Sequence, residues 1–308
     1  MSLLASLPLL CFITSYIATR KWIEVCKAKG LISEDIHKRI RKAIPKIGGL
    51  PSALIATLTV FLPKSISTWR ELIAITSLTA IFVGLLDDTM SLKDLEKVIL
   101  SAISFIPLGF YLDSVSIFGF SFQRYLATIL VILLGTFSAN ATNTFAGFNG
   151  LEAGLSVIAG SILSLLAFSK GYEVEAIVLA SFSASYLAFL YFNSYPARAF
   201  PGNCSTFQMG AFLASLSVAG DLVTPFLILI VPHALDFLLK LFSWKKMKEK
   251  IPTSIGKDGF LVPPPHLSFI GVLLRIKRMK EVELVMSIYF IEIILGFFAF
   301  IVSHVYLP

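Results

Sequence analysis

The chain has 308 residues, 56% of them hydrophobic and 15% charged, with 26 Lys and Arg against 19 Asp and Glu for a formal charge of +7. A soluble domain is nearer about 45–50% apolar and ~25% charged, so this composition excludes an ordinary soluble globular fold. The positive charge points to the anionic surface of a bilayer rather than to nucleic acid, and three scattered cysteines (Cys11, Cys26, Cys204) exclude a disulfide framework or a zinc site.

A helix needs ~20 apolar residues to cross the hydrocarbon core. Segments of that kind fall at 3–19, 47–63, 71–86, 98–112, 125–139, 151–168, 176–192, 205–219, 223–239 and 282–303. They imply an all-α integral membrane fold of about ten transmembrane helices, one polytopic membrane domain over 1–308. The first segment has no basic stretch before it and reads as a permanent span rather than a cleaved signal. Of the 26 Lys and Arg, 22 lie in the odd-numbered loops and 4 in the even ones. Basic residues remain on the cytoplasmic side, so the odd loops are expected there and both termini outside.

Between spans four and five, Ser114–Gln123 alternates polar and β-prone residues around Gly119, the pattern of a small outer β-hairpin. The last odd loop, 240–281, carries Pro263, Pro264 and Pro265, then an apolar stretch ending in Arg275, Lys277, Arg278 and Lys280. That stretch fits either a helix lying in the membrane interface or an extension of the tenth span.

Each odd loop holds a polar cluster. Loop three opens on Asp87-Asp88 and runs to Lys97. The pair ends a span, where the helix dipole disfavours carboxylates by several tenths of a kcal/mol. Two solvated acids and a cation site are both open readings. Adjacent helical residues point ~100° apart, so the two acids are expected to do different work. Loop five has Asn140, Asn143, Gly147, Asn149 and Gly150 without one Lys or Arg. Capping explains one or two asparagines, whereas amide oxygens beside carboxylates suit Mg²⁺. Loop seven, Asn193 to Asn203, contains Phe200, either a packing ring or a surface for stacking a nucleobase. His233, Asp236 and Glu292 lie inside spans, where ionisable groups are functional candidates by default. Asp236 also stands four residues before Lys240, a favourable structural pairing.

These loops resemble those of the polyprenyl-phosphate N-acetylhexosamine-1-phosphate transferases, and within them the archaeal and eukaryotic UDP-GlcNAc:dolichyl-phosphate GlcNAc-1-phosphate transferases. The resemblance rests on the Asn-Ala-x-Asn run through Ala-Gly-x-Asn-Gly-Leu-Glu-Ala-Gly at Asn140–Gly154. It rests too on Asn-x-Tyr-Pro-x-Arg-x-Phe-x-Gly at Asn193–Gly202, and on Leu-Ser-Phe-x-Gly at Leu267–Gly271. It implies a ten-helix fold with a cytoplasmic active-site groove. The implied reaction is Mg²⁺-dependent transfer of a sugar 1-phosphate, GlcNAc-1-phosphate above all, from a UDP-sugar to dolichyl or polyprenyl phosphate, releasing UMP. That reaction begins lipid-linked oligosaccharide synthesis. The implied location is the cytoplasmic membrane, or the endoplasmic reticulum of a eukaryote, and a homodimer is compatible with it.

By the same resemblance Asp87, Asp88 and Lys97 are catalytic, with Asp88, Asn143 and Asn203 at the metal. Gly147, Asn149, Phe200, Lys248 and Lys250 fall to the UDP-sugar. Four positions depart from the family pattern. Ser91 stands where the family has Asp or Asn, Asn203 replaces its metal aspartate, and Lys46 replaces a Glu after Pro45. Lys248-Glu249-Lys250 replaces an Arg-His-Arg cluster. The alternatives are an inactive or altered-specificity paralogue, and a transporter of a lipid-linked sugar. A transporter is expected to place its polar site near the midplane.

Overall fold

A computed structural model describes residues 5–35, 42–61, 68–243 and 253–305. Lys248, Glu249 and Lys250 lie outside the described residues, so their expected role has no structural account.

A helix, or a broken helix, stands at each of the ten apolar segments. In chain order these are α1 (Leu7–Ala28), α2 (Leu50–Leu58, continued by a 3₁₀ turn to Phe61), α3 (Thr68–Met90), α4 (Asp94–Tyr111), α5 (Arg124–Thr144) and α6 (Leu151–Ser169). There follow α7 (Glu173–Asn193), α8 (Asn203–Ala219), the broken pair α9 (Val223–Leu229) and α10 (Val231–Phe242), the short α11 (Phe269–Ile276) and α12 (Glu281–Val305).

By length and apolar composition, five of these among the described residues can cross a membrane: α3, α5, α6, α7 and α12. The α9–α10 pair, bent by 56°, makes a sixth. The other four fall short for visible reasons. Helix α1 carries Arg20, Lys21 and Glu24, and α4 starts with Asp94, Glu96 and Lys97. Helix α8 has only 17 residues, and α2 is interrupted by its 3₁₀ turn.

Helix α8 is the centre of the bundle. Every residue from Cys204 to Val218 is buried, and a helix apolar on all sides belongs inside a core. It packs against α3 and α5. Gly84 of α3 lets the backbones meet, since a Cβ there would stand 2.4 Å from the main chain of Asn203. Small residues of this kind bring membrane helices together. Deeper in, Tyr186 of α7 donates to Gln208 Oε1 (2.6 Å), and Gln208 Nε2 donates to Thr57 of α2 and Ser77 of α3. Four helices are thus joined by one buried polar network in which each member satisfies another.

Among the described residues, three two-stranded antiparallel sheets accompany the helices. β1 (Ile32–Glu34) pairs with β2 (Ala43–Pro45). β3 (Ser114–Ile117) pairs with β4 (Phe120–Gln123), as the alternation at 114–123 predicts. Its two-residue turn, Phe118-Gly119, has φ of 50° and 80°, the left-handed pair that matches strand twist in tight hairpins. β5 (Ser254–Ile255) pairs with β6 (Leu261–Val262). Helix α11 is separate from α12: Lys277 is extended, and the chain re-enters a helix at Glu281. The extension of the tenth span is therefore excluded. Asp236 is structural: its Oδ2 pairs with Lys240 at 2.6 Å, and its Oδ1 accepts from Phe269 N at the start of α11. His233 and Glu292 are both buried and line a small cavity between α10 and α12.

Candidate active site

Hydrogen bonds and ion pairs join the loops with distinctive polar residues to one another. Helix α3 ends among them with Asp87 and Asp88. Its stop is set by Ser91, whose φ of 53° is left-handed, with Ser91 N donating to Asp87 O at 3.1 Å.

The two aspartates have different partners. Asp87 Oδ2 lies 3.0 Å from Lys97 Nζ and accepts from Asn203 Nδ2 at 2.8 Å, while its Oδ1 accepts from Leu92 N at 3.0 Å. Asp88 Oδ2 accepts from Cys204 N at 3.2 Å in the first turn of α8. The positive end of that helix dipole favours a carboxylate. Lys46 Nζ stands 3.5 Å from Asp88 Oδ1 and donates to the Asp88 carbonyl at 2.9 Å. The dipole penalty at the end of α3 is thus offset by two lysines and by the start of α8.

Loop seven crosses this point. Gly202 has φ of 75°, and a Cβ on it would come within 3.0 Å of Asp88 Oδ2. Glycine therefore allows Asn203 to sit between the acids and loop five. There Asn143 Nδ2 donates to Asn203 Oδ1 at 3.3 Å. Loop one joins in, with Phe200 N donating to Pro45 O and Gly48 N to Phe200 O, both at 2.8 Å.

A cleft of about 250 Å³ opens beside the acids, lined among others by Lys46, Asp88, Gly147, Glu152, Phe200 and Asn203. Gly147 N donates to Glu152 Oε1 at 2.7 Å, while Glu152 Oε2 is buried without a partner. Asn149 lies behind this wall. Its Oδ1 accepts from Ala197 N (3.0 Å), and its Nδ2 donates to Asp35 (3.1 Å) and to Glu281. Asn193 ties loop five to loop seven through Gly150 N and the Ala199 carbonyl. In loop nine, burial, then the Lys240 ammonium, pushes the His266 imidazole below its usual range.

The cleft gathers Asp88, Gly147, Phe200 and Asn203 directly, and Asp87, Lys97 and Asn143 through contacts. Asn149 stands one layer back with its amide engaged on both sides. Sequence reasoning gave no role to Asp35, Glu152, Asn193 or Glu281, and noted Lys46 only as a departure. Asp35 carried one signal, an acid in a loop rich in Lys and Arg. Glu152 lay inside the quoted motif. Glu281 reads simply as an acid in the first turn of a helix.

Among the described residues no three His, Cys, Asp or Glu side chains converge on one point. The donor set suited to a hard cation is mixed: two carboxylates and the amides of Asn143 and Asn203. Asp88 Oδ1 is buried and accepts no hydrogen bond, with the Lys46 ammonium 3.5 Å away. Oxygen donors that leave positions for water and phosphate are what Mg²⁺ takes, so these residues fit it.

The family described as Glycosyl transferase family 4 matches residues 71–221, the stretch from α3 to the end of α8. A protein of Methanocaldococcus jannaschii, provisionally named a glycosyltransferase, is 37% identical over 275 residues, covering 87% of each chain. One of Saccharolobus solfataricus is 30% identical over 311 residues, covering 96% of this chain and 95% of its own. It is provisionally named a UDP-N-acetylglucosamine–dolichyl-phosphate N-acetylglucosaminephosphotransferase. The phospho-N-acetylmuramoyl-pentapeptide-transferase of Dictyoglomus thermophilum is 29% identical over 319 residues, 95% of each chain.

Proposed function

The chain belongs to glycosyl transferase family 4 and is a phospho-sugar transferase of the membrane; within that family we propose that it moves N-acetylglucosamine 1-phosphate from UDP-GlcNAc to a dolichyl-type polyprenyl phosphate, releasing UMP. One observation carries this reading. The acidic pair, Asn143 of loop five and Asn203 of loop seven meet beside one cleft, which Gly147 and Phe200 also line.

The chemistry follows from charge. An oxygen of the lipid phosphate attacks the phosphorus bearing the sugar, a new P–O bond forms, and the bond to UMP breaks. Both reactants are anions, and phosphoryl transfer depends on positioning and on neutralising charge. Lys97 and Lys46 stand where those phosphates meet the acids. A phosphate monoester with a second pKa of ~6 is already mostly dianionic at neutral pH, so no base is needed to make the nucleophile. Asp87, with three groups donating to or pairing with its carboxylate, acts as a positioned anion. Asp87, Asp88, Asn143 and Asn203 would together hold Mg²⁺ in part, and the ion would supply charge neutralisation at the diphosphate. Phe200 offers a face for the uracil, and Glu152 Oε2 an acceptor for a ring N–H. Asn149 supports the uracil site from behind.

In this reading all ten segments cross the membrane and the cleft faces the cytoplasm, which the 22-to-4 basic asymmetry supports. The three native cysteines are free and buried. In a background lacking them, cysteines introduced at Lys29 and Lys277 resist impermeant thiol reagents in intact cells, and labelling from outside refutes the orientation. The activity test is incubation of the purified chain with UDP-GlcNAc, polyprenyl phosphate and Mg²⁺. UMP release supports the proposal, and none at any Mg²⁺ level refutes it.

One observation favours a second reading, a paralogue of lost or altered activity. Lys46 and the Asn203 amide already occupy both aspartates, so part of the charge that would attract a cation is met internally.

A further inference from the structure

A second and larger cavity, of about 580 Å³, lies between the C-terminal half of α1, β2 and the α7–α8 connection. It shares no lining residue with the active-site cleft. Four cations line it: Arg20 and Lys27 of α1, Lys42 before β2, and Arg198 after α7. Glu24 is the one carboxylate among its lining residues. Among the described residues none of the four cations is in an ion pair. Arg198 is held in place: its guanidinium lies 4.3 Å above the Tyr191 ring and 4.9 Å from that of Phe192, and it donates to Tyr191 O at 2.6 Å. A guanidinium has five N–H donors in a fixed fork, so donors remain for a phosphate.

The surroundings show what kind of anion this is. The floor is aromatic, with Tyr16 5.5 Å from Tyr191 and 5.1 Å from Phe192. Along α1, one and two turns before Tyr16, stand Ile13 (46% exposed) and Leu9 (64%). On α7, Leu187 (47%) stands one turn before Tyr191 (56%). An exposed apolar stripe therefore runs to a tyrosine layer, and the tyrosine layer runs to a rim of cations. Apolar chain, aromatic belt and basic rim follow one another in that order at a membrane–water interface. A soluble anion has no use for the stripe.

We propose that this cavity binds the headgroup of an anionic membrane phospholipid, its phosphate among Arg20, Lys27, Lys42 and Arg198 and its chains along the exposed stripe of α1 and α7. The site adjoins the transferase cleft through a shared wall. Pro45 is hydrogen-bonded to Phe200, and Ala197 to Asn149. A bound lipid thus braces the back of loops one and seven. The binding claim does not depend on the transferase reading, since its test measures lipid and not turnover.

The full-length chain is equilibrated in mixed micelles holding equal phosphatidylglycerol and phosphatidylcholine, and bound lipid is counted by native mass spectrometry. The wild type is expected to retain phosphatidylglycerol preferentially. R20Q/K27Q/K42Q should lower that preference at least about tenfold, while the charge-matched R124Q/K170Q/K277Q, none of whose residues lines the cavity, keeps it. The single variants K27Q and K42Q, should the triple fail to fold, fall part of the way. Equal retention by every variant, or equal loss in both triple variants, overturns the site in favour of unspecific surface charge. Displacement of the lipid by inorganic phosphate at millimolar concentration overturns the lipid assignment in favour of a soluble anion.

Discussion

At one end of the cleft the acids are balanced by cations; behind the other they are tied to amides. Asp87 faces Lys97 and Asp88 faces Lys46, each ammonium within 3.5 Å. Asp35 and Glu281, by contrast, converge on the side chain of Asn149, whose oxygen in turn takes the Ala197 N–H. The first arrangement places paired charge at and beside the cleft. The second fixes backbone. Three distant segments, before β2, after α5 and at the start of α12, are joined by one amide, so this wall of the cleft is tied together by the protein's own groups. Preorganisation of this kind matters most where orientation, rather than bond making, is the protein's share of the work.

Removing charge from the balanced half should have the largest effect. Asp88→Asn is expected to lower the rate of UMP release at least ~10²-fold, comparable to losing one electrostatic stabiliser. The protein should remain folded, because the residue ends a helix and an amide can still accept from Cys204 N. Full turnover in both Asp87→Asn and Asp88→Asn breaks the division between a chemical half and a structural half. Unfolding of both variants breaks it from the other side.

Asn149→Ala probes the other half. It removes the side-chain bonds to Asp35 and Glu281 and strands the buried Ala197 N–H, the last at about 1–3 kcal/mol, so the melting temperature in detergent should fall. KM for UDP-GlcNAc should rise while kcat changes less. A drop in kcat equal to that of Asp88→Asn, at unchanged stability, would move Asn149 into the chemistry. Phe200→Ala sharpens the boundary between the halves. Base–aromatic stacking is worth ~1–3 kcal/mol, and UDP affinity measured by calorimetry should weaken by about that much. Unchanged affinity returns Phe200 to the packing of loop seven on loop one.

What was legible in the sequence follows the same division. Helix positions were readable because apolar runs broken by charge mark them. The 114–123 hairpin was readable because its turn chemistry is local. The cation-balanced half was largely readable too, since Asp87, Asp88, Lys97, Asn143 and Asn203 lie in short motifs with recognisable spacing. The amide-centred half was not. Asp35 and Glu281 meet Asn149 across 114 and 132 residues, and no local pattern encodes so distant a pairing. Lys46 shows a subtler failure. Its identity was plain, but that it pairs with Asp88 appears only once loop one is folded over the end of α3. The broken α9–α10 segment read as one span because its apolar composition is continuous across the bend.

Asn203 is the residue through which the charge balance can be tuned, and its effect should be the smallest. Its amide donates to Asp87 Oδ2 at 2.8 Å and accepts from Asn143 at 3.3 Å. An aspartate here would set a third carboxylate beside two others, and repulsion among them would be relieved by a cation. The amide removes that repulsion with a hydrogen bond, and as a ligand it offers oxygen without charge. Affinity for hard cations is tuned by ligand charge count, so Asn203→Asp should lower the Mg²⁺ concentration at half-maximal UMP release by a few-fold. The competing role is structural, since Asn203 opens α8 and its backbone turn is set by Gly202. On that view an aspartate serves as well and leaves the Mg²⁺ curve where it was. Superimposable curves for the two proteins would eliminate the ligand role. Activity found only in Asn203→Asp, with the native chain silent at every Mg²⁺ level, would mean that the internal hydrogen bond and Lys46 together have displaced the metal, the outcome the paralogue reading requires.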